Sequence, residues 1–108
     1  MTLDFNENKL TIDSITYELK DDIKVAKQIG DLIIVIFEMR NAPQGVQYQN
    51  CSAFNETGEW IWTAEHPTTL PTDYYLNFMN GNKLWTFACY ICEIDFKSGK
   101  LLNAKWTK

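Results

Sequence analysis

Positive charge is scarce in this chain of 108 residues: ten lysines and arginines, with Arg40 the only arginine, stand against fourteen aspartates and glutamates. The net charge of −4 works against the phosphate neutralisation that drives nucleic-acid binding, which excludes DNA and RNA as expected partners. Long apolar runs are missing too. None approaches the roughly 20 residues that a membrane-spanning helix needs, so no membrane partner is expected. Cysteine is limited to an odd three, without the spacing of a disulfide framework, and reduced thiols are the expectation. The opening residues "MTLDFNENKL" lack the basic region and apolar core of a secretory signal. A cytoplasmic location follows as an expectation from both points.

Helical periodicity is nearly absent as well, whereas short β-branched and aromatic runs alternate with turn signals along the whole chain. The expected class is therefore all-β, in a single domain over 1–108. "KLTI" and "ITYEL" read as a short N-terminal hairpin joined at Asp13 and Ser14. "IKVAKQ" has helical spacing at Ile23, Ala26 and Ile29, but two turns followed at once by "DLIIVIF" fit a hairpin closed at Ile29, Gly30 and Asp31 better. "DLIIVIF" is apolar at nearly every position, as expected of a strand covered on both faces.

A second pass shows the same syntax twice. The order strand, glycine turn, strand, link, strand, glycine turn, strand occupies residues 23–63 and again 74–106, predicting two four-stranded antiparallel meanders. "AFNETGEWIW" lies over "EIDFKSGKLL": Phe54 matches Ile94, Asn55 matches Asp95, Gly58 matches Gly99 and Glu59 matches Lys100. Asn55 and Asp95 are placed to cap their turns, and the glycines to supply positive φ. Asn80 and Gly81 give a further hairpin signal. These segments resemble the blades of β-propellers of the pyrroloquinoline-quinone repeat type, and small stand-alone bacterial proteins that carry an "AF-turn-GExIW" segment. The resemblance covers about residues 47–106. It implies propeller-blade-like repeats packed as a small sandwich or incomplete barrel, and immunity proteins directed against toxins as one functional possibility. It implies no quinone, because two blades cannot close the ring that holds that cofactor. No cofactor is expected.

Candidate chemistry is thin. Cys89 and Cys92 have redox spacing, but β sequence on both sides denies the first thiol a helix N-terminus. Cys51, His66, Cys89 and Cys92 are the right types for zinc without the paired spacing of zinc modules, so no metal site is expected and buried, inert cysteines are. His66, the only histidine, precedes Pro67 in a polar link and reads as an exposed loop residue. Glu93 is expected in solvent and Asp95 on its turn, which leaves that carboxylate pair without a catalytic role. The five glycines fall in scattered turns, not in a phosphate loop, and Asp21–Asp22 lacks the further ligands of a calcium site.

What remains is aromatic. Trp60 and Trp62 are expected to share a strand face, as are Tyr74 with Phe78 and Trp85 with Phe87. The loop "EMRNAPQGVQ" is the main difference between the two halves, and extra loop length is where function tends to be added. Arg40, Asn41, Gln44, Gln47, Tyr48, Tyr74 and Tyr75 are the expected interaction residues. The functional expectation is a non-enzymatic cytoplasmic protein-binding domain, with an immunity-like toxin inhibitor as its specific form. The alternatives are a small-molecule binder or enzyme using a pocket between the sheets, and a structural module that homodimerises through sheet edges.

Overall fold

A computed structural model describes residues 1–40 and 42–107, so Asn41 lies outside the described residues. The protein is all-β: among the described residues eleven strands form three antiparallel sheets of three, four and four strands. Strands β1 (Leu3–Asn6), β2 (Lys9–Ile12) and β3 (Ile15–Glu18) make the first sheet. Strands β4 (Ile23–Ile29), β5 (Leu32–Phe37), β6 (Cys51–Phe54) and β7 (Trp60–Thr63) make the second. Strands β8 (Tyr75–Met79), β9 (Lys83–Thr86), β10 (Tyr90–Ile94) and β11 (Leu101–Trp106) make the third. Each is a meander in chain order. Among the described residues no helix is long and apolar enough to cross a membrane.

The N-terminal element is larger than the expected hairpin. Asp13 and Ser14 do form its turn, with φ of 48° and 75°, but "LDFN" adds a third strand that pairs with β2 through a turn at Glu7. Leu3 and Phe5 alternate with Asp4 and Asn6, so this short strand has an apolar face to bury.

The alternation in β5 sets the layering. Ile33, Val35 and Phe37 join Leu10, Ile12, Ile23 and Phe54 in one buried cluster, between the first and second sheets. Ile34 and Ile36 point the other way, into a cluster with Cys51, Ala53, Trp62, Tyr75, Leu84, Cys92 and Ile94 between the second and third. The second sheet is thus a middle layer, which is why β5 has no polar face. The result is a three-layer stack.

The two repeat turns are built alike. Asn55 Oδ1 accepts the N–H groups of Thr57 and Glu59, and Asp95 Oδ1 accepts that of Lys97. Gly58 and Gly99 close the turns at φ 78° and 77°. Each glycine also carries an aromatic ring from the preceding sheet: an added Cβ would fall 2.4 Å from the Tyr17 ring at Gly58 and 2.6 Å from the Trp62 ring at Gly99. Trp62 further donates its indole N–H to the Phe96 carbonyl at 2.9 Å. The turns therefore lock consecutive sheets together. The Asn80–Gly81 hairpin also forms, with three residues in its loop rather than two, because Met79 pairs with Lys83.

Trp60 and Trp62 do not share a face. A bulge shifts the register so that Phe54 pairs with Trp60 and Ala53 with Trp62, leaving Ile61 as the extra residue. Trp62 is buried towards the third sheet, and Trp60 lies 60% exposed on the side of the first. The equivalent bulge at Leu102 in β11 separates Leu101, paired with Ile94, from Asn103, paired with Glu93.

Candidate interaction surface

Most of the expected interaction residues are occupied by the protein itself. Tyr75 is 1% exposed, a core residue whose hydroxyl donates to the Glu65 carbonyl, which corrects its assignment to a surface. Its neighbour Tyr74 alternates to the outside and stacks on Phe87, with ring centroids 5.0 Å apart and planes 11° from parallel. Gln47 donates to the Thr68 and Leu70 carbonyls, pinning the 38–50 loop to the link between the second and third sheets. Tyr48 donates its hydroxyl to Asp21, and burial, then that carboxylate, pushes its pKa far up. Lys20 covers the Tyr48 ring at 5.0 Å. Arg40 is exposed and pairs with Asp22 at 3.4 Å, a contact worth under about 1 kcal/mol at such exposure. Gln44 is exposed. The loop patch is thus largely tied down.

His66 is not an exposed loop residue: its side chain is 1% exposed. The link from β7 to β8 folds back on itself, with Asp73 accepting both the backbone N–H and the hydroxyl of Thr68, and this carries His66 under the link against the Tyr75 ring, 4.6 Å between centroids. His66 Nδ1 lies 4.0 Å from Asp73 Oδ1, and neither imidazole nitrogen has a protein partner. Burial lowers the His66 pKa, and the Asp73 charge only partly opposes it. Because the unfolded chain then holds a proton that the folded chain resists, stability falls as pH drops below the unfolded value of about 6.5. Urea unfolding at pH 7.5 and 5.0 is expected to show this loss, with a slope of up to about 1.4 kcal/mol per pH unit from this group, and His66→Phe to flatten it.

Cys51 and Cys92 are buried in the core and offer no nucleophile. Burial pushes the Cys51 thiol far up and the Cys92 thiol up to about 11. Cys89 sits apart from Cys92, in the β9–β10 turn at φ 71°. All three are free. Among the described residues no group of three His, Cys, Asp or Glu side chains is placed to hold a metal ion. Glu93 is exposed and pairs with Lys83 at 3.6 Å, while Asp95 spends its carboxylate on the turn, where Lys97 N–H and the Ser98 hydroxyl hold its pKa below the usual range. A shallow cleft of about 430 Å³ lies between the first two sheets, beside Trp60, with Glu18, Lys20, Ser52 and Thr63 on its walls. Within it the Ser52 and Thr63 hydroxyls bond each other at 3.0 Å.

The surface that stands out is the outer face of the third sheet. Phe78, Leu84, Cys92 and Ala104 face the core, so the alternate residues face away from it. They form two cross-strand rows, Met79–Lys83–Glu93–Asn103 and Asn77–Trp85–Ile91–Lys105, with the Phe87–Tyr74 stack beyond the second. Met79, Trp85 and Phe87 are 39%, 44% and 54% exposed. The opposite end of the stack is unlike it. There the rows are Asp4–Thr11–Thr16 and Asn6–Lys9–Glu18, polar throughout, with the two threonine hydroxyls bonded at 2.9 Å.

Charge divides the same way: residues 1–73 carry twelve carboxylates against five cations, and residues 74–108 carry two against five. Trp85 and Phe87 do share a face, as their alternation predicts. Period-two alternation shows that a strand has two faces; it does not show which sheet ends the stack. The charge division is a signal in the sequence that separates the third sheet from the others.

No curated protein and no solved structure matches the chain. One family does, a domain of unknown function (DUF7957), over residues 1–106, a span that takes in every strand from β1 to β11. The chain therefore belongs to the DUF7957 family of domains of unknown function.

Proposed function

We propose that this protein is a non-enzymatic, cytoplasmic protein-binding domain whose contact surface is the outer face of the third sheet. One observation carries the reading: the two ends of the stack differ, with a polar outer face on the first sheet and Met79, Trp85 and Phe87 exposed on the last. Stacked-sheet and repeat architectures finish their ends with polar residues for solubility, so large aromatic side chains left exposed among the charges of an end sheet support a contact there. Trp and other rigid aromatics are the side chains that anchor protein interfaces most often. Three free cysteines accord with a reducing compartment.

The blade-like reading of the sheets belongs to this proposal. So does its specific form, an immunity-like inhibitor, in which the acidic first two sheets would steer a basic toxin and the aromatic face would hold it. Capture from the native cell tests the reading. The wild-type chain is expected to recover a stoichiometric protein partner, and a Trp85→Ser/Phe87→Ser variant to lose it while its unfolding midpoint changes by no more than about 1 kcal/mol equivalent. Equal capture by both proteins would remove the face from consideration.

A further inference from the structure

We infer that the occupant of this face is a second copy of the chain, packed face to face about a two-fold axis. The inference rests on the protein-binding reading above and names its partner. Stacking head to tail would set the polar rows Asp4–Thr11–Thr16 and Asn6–Lys9–Glu18 of one copy against Trp85 and Phe87 of the next, and would leave an open chain with an aromatic face still uncovered at one end. Packing third sheet on third sheet about an axis along the strands instead sets Trp85 of one copy over Ile91 of the other. It closes the assembly at once, leaving the polar first sheet at both ends of a six-layer stack.

The charges on the face are arranged for this. A two-fold axis along the strands keeps the height of each row and reverses the strand order, so β9 of one copy crosses β10 of the other and Lys83 meets the other copy's glutamate at position 93. An axis across the strands exchanges the two rows and keeps the strand order, which brings Glu93 over Ile91 and beside Lys105 of the other copy. In both arrangements the acidic side chain of the face lies against a lysine of the other copy. Among the described residues the charged side chains of this face are two lysines and one glutamate, so its charge does not draw a basic partner.

The area sets the strength. Taking about 200–250 Å² for a large aromatic side chain, the exposed parts of Trp85, Phe87 and Met79 leave roughly 300 Å² of apolar surface on each copy. With its polar border this lies near the lower limit of specific interfaces, so the dimer is reversible, with a Kd in roughly the micromolar to tens of micromolar range.

Sedimentation velocity on the full chain from roughly 5 to 500 µM tests the inference. The wild type is expected to pass from monomer to dimer over this range. Trp85→Lys is expected to stay monomeric with an unchanged circular dichroism spectrum, and Thr11→Lys on the opposite end to dimerise as the wild type does. Glu93→Lys alone and the double variant Lys83→Glu/Lys105→Glu alone are each expected to be monomeric, and their equimolar mixture to form a heterodimer.

A wild type that stays monomeric at the highest concentration would overturn the second copy as occupant, leaving the face itself to be judged by the capture experiment. A wild-type dimer that Trp85→Lys leaves intact would overturn the face and the inference together. Failure of the charge-swapped mixture to associate, with the wild type dimeric, would overturn the two-fold pairing of Glu93 with lysine.

Discussion

Gly99→Ala is expected to lower the unfolding free energy by about 3 kcal/mol, and Gly58→Ala by a similar amount, whereas Gly30→Ala is expected to cost only about 1 kcal/mol. All three glycines have positive φ, 77°, 78° and 59°, so the backbone penalty for an L side chain is shared. They differ in what lies above the Cα. At Gly30 an added Cβ meets nothing within 4 Å, whereas at Gly99 and Gly58 it falls inside contact distance of the Trp62 and Tyr17 rings. Those rings belong to the preceding sheet, so the clash opens the interface between layers and not only the turn. In a domain of this size the difference corresponds to a melting temperature lower by roughly 10 °C than that of Gly30→Ala. Placing Trp62→Ala with Gly99→Ala removes the obstacle, and the pair is expected to cost less than the sum of the two single changes. Equal losses at Gly99 and Gly30 would mean that the ring contact contributes nothing.

A loss of comparable size is expected at Asn50. Its side chain is fully buried and makes three hydrogen bonds to backbone: it donates to the Phe37 and Tyr75 carbonyls at 3.1 and 2.9 Å and accepts the Tyr75 N–H at 2.9 Å. Phe37 ends β5 and Tyr75 begins β8, so one amide group joins the second sheet to the third. Asn50→Ala leaves a buried N–H without a partner and two carbonyls under-satisfied, at a cost of about 3–4 kcal/mol. Gln47 provides the comparison within the same loop. It also bonds two carbonyls, but in a part-exposed setting where water can replace it, and Gln47→Ala is expected to cost about 1 kcal/mol. Urea denaturation of both variants at pH 7.5 separates the two cases, the buried amide shifting the midpoint about three times as far.

Much of the layering was legible from β5 alone. A strand that is apolar at every position has to be covered twice, and Ile33, Val35 and Phe37 do serve one interface while Ile34 and Ile36 serve the other. The two turns were legible because Asn55, Asp95, Gly58 and Gly99 act locally, through hydrogen bonds and φ values that a few residues determine. Features that depend on long-range placement were not. The bulge at Ile61 moves Trp60 and Trp62 to opposite faces, and nothing in "EWIWT" marks where the register shifts. Tyr75 and His66 are buried because the β7–β8 link folds back through the Asp73–Thr68 bonds, although its sequence is that of a solvated connection. The first strand was short enough to pass as a tail, and only its pairing with β2 gives Leu3 and Phe5 their place.

The same distinction explains the shift of the candidate site from loop to sheet. Loop length pointed to residues 38–47 and the tyrosines near them, but Tyr48 and Gln47 are bound to Asp21 and to the link, and Tyr75 to the core. Tyr74 alone carries over, because its stack on Phe87 places it at the border of the exposed face. Exposure of an aromatic row is a property of the stack: the corresponding row of the second sheet, with Ile36 and Cys51, is buried only because a third sheet lies on it.

Site-specific photo-crosslinking in the native cell tests the central claim most directly, with a crosslinking phenylalanine analogue placed at Trp85 on one outer face and, in a second protein, at Thr11 on the other. A discrete protein adduct from position 85 and none from position 11 is the expected result; adducts from position 11 alone, or from neither, would contradict the assignment of the third sheet as the contact surface.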